Sequence, residues 1–308
     1  MDASAEQPLT APVPGPIRGR SWRWQRAADL ARLARLNRPI GIWLLLWPTL
    51  WALWIASAGP PRLSLLLIFV AGTVLMRSAG CIINDLADRN FDPHVRRTRD
   101  RPLAARRIAP HEALVTFTVL VAIAFVLALQ LNPYAFRLAF VGGVLTITYP
   151  LLKRFFILPQ LYLGVAFGWA VPMAFAAVLD RVPRVGWLLL LATMVWAGVY
   201  DTFYAMVDRD DDVRIGVRSS AIAFGDMDLP IIGGMQLMLL AALLLTGRTL
   251  QLGAPYYLAL LAGAGCLAYQ LWIARNRDSA ACFRAFKLNN YFGLLILIGL
   301  IVQYRGGR

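Results

Sequence analysis

Long apolar runs alternate with short breaks containing proline, glycine or charge along almost the whole chain. Runs such as 43–58, 63–83 and 113–131 approach the roughly 20 residues that cross a hydrocarbon core about 30 Å thick as a helix. They lack strand-like alternation, which favours helices over a β-barrel. The breaks define nine predicted spans, at 40–58, 63–83, 112–131, 134–151, 159–179, 186–207, 229–247, 254–274 and 288–304. We expect the second and sixth spans to continue as helix into the polar segments that follow them.

Composition supports lipid as the surrounding solvent. Of the 308 residues, 59% are hydrophobic and 16% are charged, whereas soluble domains carry about 25% charged residues. The predicted fold class is therefore all-α, a polytopic membrane protein. The three cysteines, Cys81, Cys266 and Cys282, have no paired or metal-ligand spacing and are expected to be free thiols.

The basic residues predict an orientation. The net charge of +14 is typical of membrane orientation and lipid contact, so nucleic acid is not an expected partner. With nine crossings, 23 of the 31 Lys and Arg residues fall on one side. That side is predicted to be cytoplasmic and to hold the N-terminus. We interpret 1–36 as a cytoplasmic tail with an interfacial segment, and 37–308 as one transmembrane domain.

Two acidic clusters follow the second and sixth spans. In the first, Asn84, Asp88 and Asp92 lie within about 80° of one helical face, with Asp85 near its edge. The second continues a stripe that recurs every four residues: Tyr200, Tyr204, Asp208 and Asp212. A single cluster could be a solvated helix end, but arginines follow both clusters. Such loops could form two half-sites that face one another, or could resemble each other by chance.

Clustered carboxylates at the ends of apolar helices need a positive partner, because they repel one another and desolvation is costly. Mg²⁺ suits this role, since it binds one or two carboxylates and completes its shell with water and substrate phosphates. The sequence contains no EF-hand-like loop, which makes Ca²⁺ a less suitable partner than Mg²⁺. The two histidines, His94 and His111, lack the spacing of zinc ligands.

The motifs Asn84-Asp85-x-x-Asp88-x-x-x-Asp92 and Asp208-x-x-x-Asp212 resemble those of the UbiA-type intramembrane prenyltransferases. The stretches 38–43, 97–103 and 200–225 resemble the branch of that family that acts on 4-hydroxybenzoate, although many members have Lys where Tyr204 stands. The resemblance covers nearly the whole chain. It implies nine helices around a central cavity capped on the cytoplasmic side. It also implies transfer of a polyprenyl group from its diphosphate to the ring carbon ortho to the hydroxyl of 4-hydroxybenzoate, a step of ubiquinone synthesis.

With this resemblance, each candidate residue receives a predicted role. Asp88, Asp208, Asp212, Tyr149 and Tyr200 are expected to be catalytic, the tyrosines by facing an allyl cation, although tyrosine packing between helices is an alternative. The predicted Mg²⁺ ligands are Asn84, Asp85, Asp88, Asp92, Asp208 and Asp212. Arg97, Arg101 and Lys153 are expected to bind diphosphate oxygens, although their charge could instead serve orientation alone.

Arg77 lies inside a span, where an arginine is costly and usually functional. It precedes Asn84 by seven residues, so both lie on one helical face. We predict that it binds the carboxylate of 4-hydroxybenzoate; the alternative is an internal salt bridge. Arg38 is a second candidate for substrate binding, or else an anchor at the membrane surface.

Two alternatives remain at this level. A secondary transporter also carries acids in a helical bundle, although usually near the membrane midplane. A family relative could act on another acceptor, such as a naphthoate. Apart from 4-hydroxybenzoate, the expected partners are polyprenyl diphosphate and the lipid bilayer. The expected location is the bacterial inner membrane, with the site near the cytoplasmic face. No residue indicates the prenyl chain length.

Overall fold

The computed structural model describes residues 20–95, 97–152, 159–216 and 219–305, and in these ranges every regular element is helical. Two single-turn 3₁₀ helices, Asp92–His94 and Gly225–Met227, lie in connections. The α-helices are α1 (Arg20–Leu33), α2 (Ile40–Ser57), α3 (Leu63–Asp88), α4 (Pro110–Ala128), α5 (Pro133–Leu152), α6 (Pro159–Gly168), α7 (Ala170–Leu179), α8 (Arg184–Ile215), α9 (Ser220–Phe224), α10 (Asp228–Thr249), α11 (Ala254–Ala274) and α12 (Ser279–Arg305).

The helices agree with the all-α membrane fold predicted from the hydrophobic pattern. Over the described residues, eight helical segments are long and apolar enough to cross a membrane. The predicted fourth span, 134–151, forms α5, which is 20 residues long.

The predicted span 159–179 is interrupted at Trp169, between α6 and α7. The cause is Pro172, which has no N–H to donate to the carbonyl oxygen of Gly168. The Trp169 indole N–H donates to the carbonyl of Leu138 at 2.8 Å, which joins this break to α5.

Aromatic packing among α2, α8 and α12 forms the centre of the bundle. The fully buried Trp51 and Trp196 stack with ring centroids 5.2 Å apart, and Phe292 packs against both. The Trp51 indole N–H donates to the carbonyl of Gly293 at 3.0 Å. A Cβ at Gly293 would clash with the Trp47 ring, so glycine is needed for this close approach.

Two helices extend beyond the apolar layer and carry the acidic residues. α3 continues to Asp88 and α8 continues to Ile215, as the sequence predicted. The expectation that Asp92 shares one helical face with Asn84 and Asp88 is wrong, because Asp92 lies beyond the end of α3 and begins the 3₁₀ helix that contains Pro93. α8 then ends at Gly216, whose φ of +71° is favourable for glycine at a helix C-terminus. The polar ends of α3 and α8, with the connection 89–109, surround the mouth of the central cavity.

The only described part of the predicted tail and interfacial segment 1–36 is residues 20–36, most of them in α1. Arg26 pairs with Glu112 on α4, and Asp29 accepts a hydrogen bond from Arg107 at 3.1 Å. α1 is thus attached to the bundle near the connection 89–109. The assignment of 37–308 as one domain stays a prediction.

Candidate active site

One large cavity, with a volume of about 1710 Å³, lies among α2, α3, α4, α5, α6 and α8. Every predicted site residue that the structure describes lines it: Arg38, Arg77, Asn84, Asp85, Asp88, Asp92, Arg97, Arg101, Tyr149, Tyr200, Asp208 and Asp212. Lys153 lies outside the described residues. The two acidic motifs therefore border one cavity although they are more than 100 residues apart in sequence.

Successive turns at the end of α3 place Asn84 beside Asp88. The Asn84 amide donates to a carboxylate oxygen of Asp88 at 3.1 Å. Both side chains are half-buried and line the cavity. They present oxygen ligands at its polar end, as the helical spacing predicted.

Asp85 has a different environment from its neighbours in the motif. It is 1% exposed, and one Nη atom of Arg35 lies 2.7 and 2.8 Å from its two carboxylate oxygens. Arg101 donates to it at 3.0 Å. The observed partners of this predicted metal ligand are thus two guanidinium groups, which compensate the cost of burying its charge.

Arg101 also bridges to the last acid of the first motif. Its Nη1 atom lies 3.0 and 3.1 Å from the carboxylate oxygens of Asp92. Burial raises the pKa of Asp92; Arg101 lowers it, while the negative charges of Asp85 and Asp88 raise it further. The net pKa of Asp92 is above its ordinary value.

Arg97 joins the connection 89–109 to α8. Its Nε and Nη2 atoms donate to the Asp208 carboxylate at 2.8 and 2.5 Å, and its Nη1 donates to the Tyr204 hydroxyl. The guanidinium also lies 4.5 Å from the centroid of the Tyr204 ring. Burial alone would lower the pKa of Arg97, but Tyr204 and Asp208 together raise it. This ion pair links the connection that follows the first acidic motif to the second acidic motif on α8.

The oxygen ligands that line the cavity suit a Mg²⁺ ion that also binds substrate phosphates. Among the described residues, no group of three or more Asp, Glu, His or Cys side chains is placed to hold a metal ion without further ligands. The cavity is instead lined by Asn84 and Asp88 on α3 and by Asp208 and Asp212 on α8. Mg²⁺ needs only one or two carboxylates when substrate phosphates and water complete its shell. Two separated pairs of oxygen ligands suit that mode of binding.

Arg77 lies deeper in the cavity wall, on α3. Its Nη1 atom donates to the Cys81 sulfur at 2.7 Å, and its guanidinium lies 5.5 Å from the Phe167 ring centroid. Its Nε atom is buried and has no hydrogen-bond partner. No carboxylate in the described part of the chain pairs with Arg77, so the alternative of an internal salt bridge is not observed there. Arg38 also lines the cavity but is exposed.

The predicted catalytic tyrosines pack against other aromatic rings. Tyr200 is buried, with edge-to-face contacts to Trp196 at 5.7 Å and Phe286 at 6.4 Å. Tyr149 stacks on Tyr162 at 6.4 Å. Both line the cavity as well. Packing and a role toward a cation are compatible, and the catalytic role stays a prediction.

The sequence reasoning missed three residues of this site. Asp201 lines the cavity seven residues before Asp208, and an acid on the same helical face within an apolar span was the available signal. Arg35 reaches Asp85 across 50 residues, for which no local pattern exists. Gly41 contacts Arg77, and the resemblance of the 38–43 stretch assigns it no role.

The other end of the cavity is an apolar arm between α3, α4 and α5. Phe69, Gly72, Phe125, Phe140 and Gly143 are among its lining residues. A Cβ at Gly72 or Gly143 would meet no atom within 4 Å, so both glycines face open space. Phe125 and Phe140 are also 50% and 68% exposed, so the arm reaches the outer surface of the bundle.

A helical membrane bundle whose cavity joins a charged end to an apolar arm suits an amphiphilic ligand with a charged head group and an apolar tail. The model of the UbiA prenyltransferase family matches residues 45–292, and the chain belongs to this family. A 4-hydroxybenzoate octaprenyltransferase from Nitrosococcus oceani is 55% identical over 280 residues, covering 91% of this chain and 98% of the relative.

Solved structures share the fold. The apo structure of a UbiA homolog from Aeropyrum pernix K1 has a TM-score of 0.74 and 28% identity, covering 85% of this chain and 97% of that one. A UbiA homolog from Archaeoglobus fulgidus, bound to GPP and Mg²⁺, has a TM-score of 0.64 over 87% of this chain and 99% of that one. At 16% identity this second likeness shows the fold alone. Family membership supports the enzyme interpretation and gives no support to the transporter alternative.

Proposed function

We propose that this chain transfers a polyprenyl group from polyprenyl diphosphate to the ring carbon ortho to the hydroxyl of 4-hydroxybenzoate, with Mg²⁺, in ubiquinone biosynthesis. The observation that carries this proposal is Arg77, a cation without a carboxylate partner among the described residues, in a cavity that also holds the acidic motifs and the apolar arm. The name of the Nitrosococcus oceani relative supports the same acceptor and an eight-unit donor.

The diphosphate head group belongs at the charged end. Asn84, Asp88, Asp208 and Asp212 would hold Mg²⁺, which neutralises the leaving group when bound. Arg97, Arg101 and Lys153 are the proposed ligands of diphosphate oxygens. The observed pairing of Arg97 with Asp208 and of Arg101 with Asp92 keeps these charges compensated inside the cavity.

In the reaction, the bond between the allylic carbon and the diphosphate oxygen breaks, and its electron pair leaves with the diphosphate. The ring carbon ortho to the hydroxyl forms the new bond to the allylic carbon and then loses its proton, which the released diphosphate can accept. Tyr149 and Tyr200 offer aromatic faces to the positive charge that develops on the prenyl carbon. The buried walls around them exclude water, which would otherwise capture that carbon.

The acceptor is placed by its carboxylate, which pairs with the Arg77 guanidinium. A bidentate pair between guanidinium and carboxylate fixes direction as well as position. The ring is then directed toward the acids of α3 and α8, where the allylic carbon lies. Arg38, at the exposed edge of the cavity, attracts the anionic substrates during entry.

The prenyl tail occupies the apolar arm between α3, α4 and α5. The opening near Phe125 and Phe140 lets the distal units of a long polyprenyl chain stay in lipid. We further propose the bacterial inner membrane as the location. The distribution of Lys and Arg supports an orientation with the N-terminus and the charged end of the cavity at the cytoplasmic face.

A reconstitution assay tests this function. Purified protein is incubated with Mg²⁺, octaprenyl diphosphate and either 4-hydroxybenzoate or a hydroxynaphthoate, and products are identified by mass spectrometry. We expect octaprenylated 4-hydroxybenzoate with one diphosphate released per product, and loss of product when EDTA removes Mg²⁺. Product from the naphthoate alone would overturn the acceptor assignment. Turnover that persists in EDTA would overturn the metal assignment.

A further inference from the structure

Gly41, near the start of α2, lies directly against the guanidinium of Arg77. A Cβ built at Gly41 would lie 2.5 Å from Nε, 2.6 Å from Nη2 and 2.9 Å from Cζ of Arg77. These distances are far below the roughly 3.5–4.0 Å at which non-bonded carbon atoms pack. The observed position of the guanidinium therefore requires a residue without a side chain at position 41.

Three helices together define where the guanidinium lies. α2 contributes the flat surface of Gly41, α3 contributes the Cys81 sulfur that accepts from Nη1, and α6 contributes the Phe167 ring. No ion pair within the described residues holds Arg77 from another direction, and its Nε atom has no hydrogen-bond partner. Steric contact with Gly41 is thus a main determinant of the arginine's position.

The consequence of a larger residue differs from ordinary overpacking. At Gly299 a Cβ would clash with the Cβ of Ala259 and lie 3.2 Å from the backbone oxygen of Pro255, so two helices would have to separate. At Gly41 the obstructing group is the end of a long side chain that can rotate away. Gly41→Ala should therefore leave the bundle folded while it moves the cation.

We propose that Gly41 is a positioning residue that determines specificity for a carboxylate-bearing acceptor, because it allows Arg77 to reach the place where the acceptor carboxylate binds. This rests on the acceptor role of Arg77 in the proposed function. Gly41 itself touches no substrate in this scheme; it acts through Arg77. The polyprenyl diphosphate site, built from α3, the connection 89–109 and α8, does not depend on it.

The test compares Michaelis constants for the two substrates in Gly41→Ala, Arg77→Ala and the double variant. Gly41→Ala should raise KM for 4-hydroxybenzoate at least about tenfold, since a displaced guanidinium loses its charge-assisted hydrogen bond to the acceptor carboxylate. KM for octaprenyl diphosphate should change less than about twofold. KM does not depend on the fraction of folded enzyme, so partial loss of folding alone would not produce this difference.

Two glycines serve as matched controls. Gly265→Ala adds the same methyl group to α11, where nothing lies within 4 Å, and Gly299→Ala adds it in a tight contact remote from Arg77. Both should keep the wild-type KM for 4-hydroxybenzoate, although Gly299→Ala lowers thermal stability. A similar rise of KM in either control would refute a role specific to Gly41.

The double variant tests the role of Gly41 separately from the acceptor role of Arg77. If Gly41 acts through Arg77, then Gly41→Ala adds no further rise in KM once Arg77 is alanine. If Arg77→Ala raises KM but Gly41→Ala does not, or if the two effects multiply, the role of Gly41 is refuted and the acceptor assignment survives. If Arg77→Ala keeps the wild-type KM, the acceptor assignment itself fails.

Discussion

Asp85→Asn tests whether the second residue of the first acidic motif binds arginine or metal. The side chain of Asp85 is 2% exposed, and those of Arg35 and Arg101, its two partners, are 19% and 18% exposed. Asparagine has nearly the same shape, so the change removes charge without leaving a cavity. If the contacts in the structure persist during turnover, the variant loses stability and keeps its ordinary response to Mg²⁺.

The expected loss follows from the burial of all three groups. Removing one partner of a buried ion pair costs about 3–5 kcal/mol, because the remaining charge is left uncompensated. Some exposure of both arginines, and a residual hydrogen bond to the amide oxygen of the introduced asparagine, favour the lower end, about 3 kcal/mol. At about 2 °C per kcal/mol for a chain of this size, the apparent Tm falls by about 6 °C.

The assay is thermal unfolding in detergent at one fixed scan rate, since membrane proteins often unfold irreversibly. It is paired with a Mg²⁺ titration of activity. Asp29→Asn is the matched control, because the partners of Asp29, Arg32 and Arg107, are 55% and 40% exposed, and an ion pair with a solvent-exposed arginine contributes about 0–1 kcal/mol. A tenfold rise in the Mg²⁺ requirement with an unchanged Tm would show that Asp85 is a metal ligand and refute the reasoning.

Three further predictions concern the metal, the acceptor and the prenyl donor. Asp88→Asn and Asp208→Asn should each lower kcat at least about 10²-fold, because each removes a charge expected at the metal; Asp180→Asn, at the exposed end of α7, should keep wild-type kcat in the same assay. Arg77→Ala should raise KM for 4-hydroxybenzoate on the order of 10-fold or more, through loss of a charge-assisted hydrogen bond; titrating both substrates checks this, and an equal rise for the diphosphate donor would contradict it. Gly143→Leu should narrow the apolar arm and lower kcat/KM for octaprenyl more than for geranyl diphosphate, and equal losses with both donors would argue against a tail in that arm.

The sequence predicted the part of the site that depends on single helices. The spacing of Asn84 and Asp88 along a continuing helix, and the continuation of α8 through Asp208, are local consequences of helical periodicity. Arg77 could be identified from the sequence because an arginine within an apolar span is costly and usually has a functional role. The charge bias placed both acidic motifs on one side, and the structure brings them to one cavity.

Contacts between distant segments could not be read from local patterns. The pairing of Arg35 with Asp85, and of Arg97 with Asp208, depends on how helices pack after they form. Arg97 and Arg101 were expected to bind diphosphate, and their present partners are the acids that also need compensation. The space needed at Gly41 is likewise a tertiary property, since a glycine near a helix start has many local explanations.

The most direct test of the central claim is an experimental structure with Mg²⁺, a non-hydrolysable octaprenyl thiodiphosphate and 4-hydroxybenzoate bound together. We predict metal density between the Asn84–Asp88 and Asp208–Asp212 pairs, with the diphosphate beside it. The acceptor carboxylate should lie within hydrogen-bond distance of the Arg77 guanidinium, and the first isoprene units should lie in the arm between α3, α4 and α5. A carboxylate bound away from Arg77, or a diphosphate bound to only one of the two acidic motifs, would contradict the account.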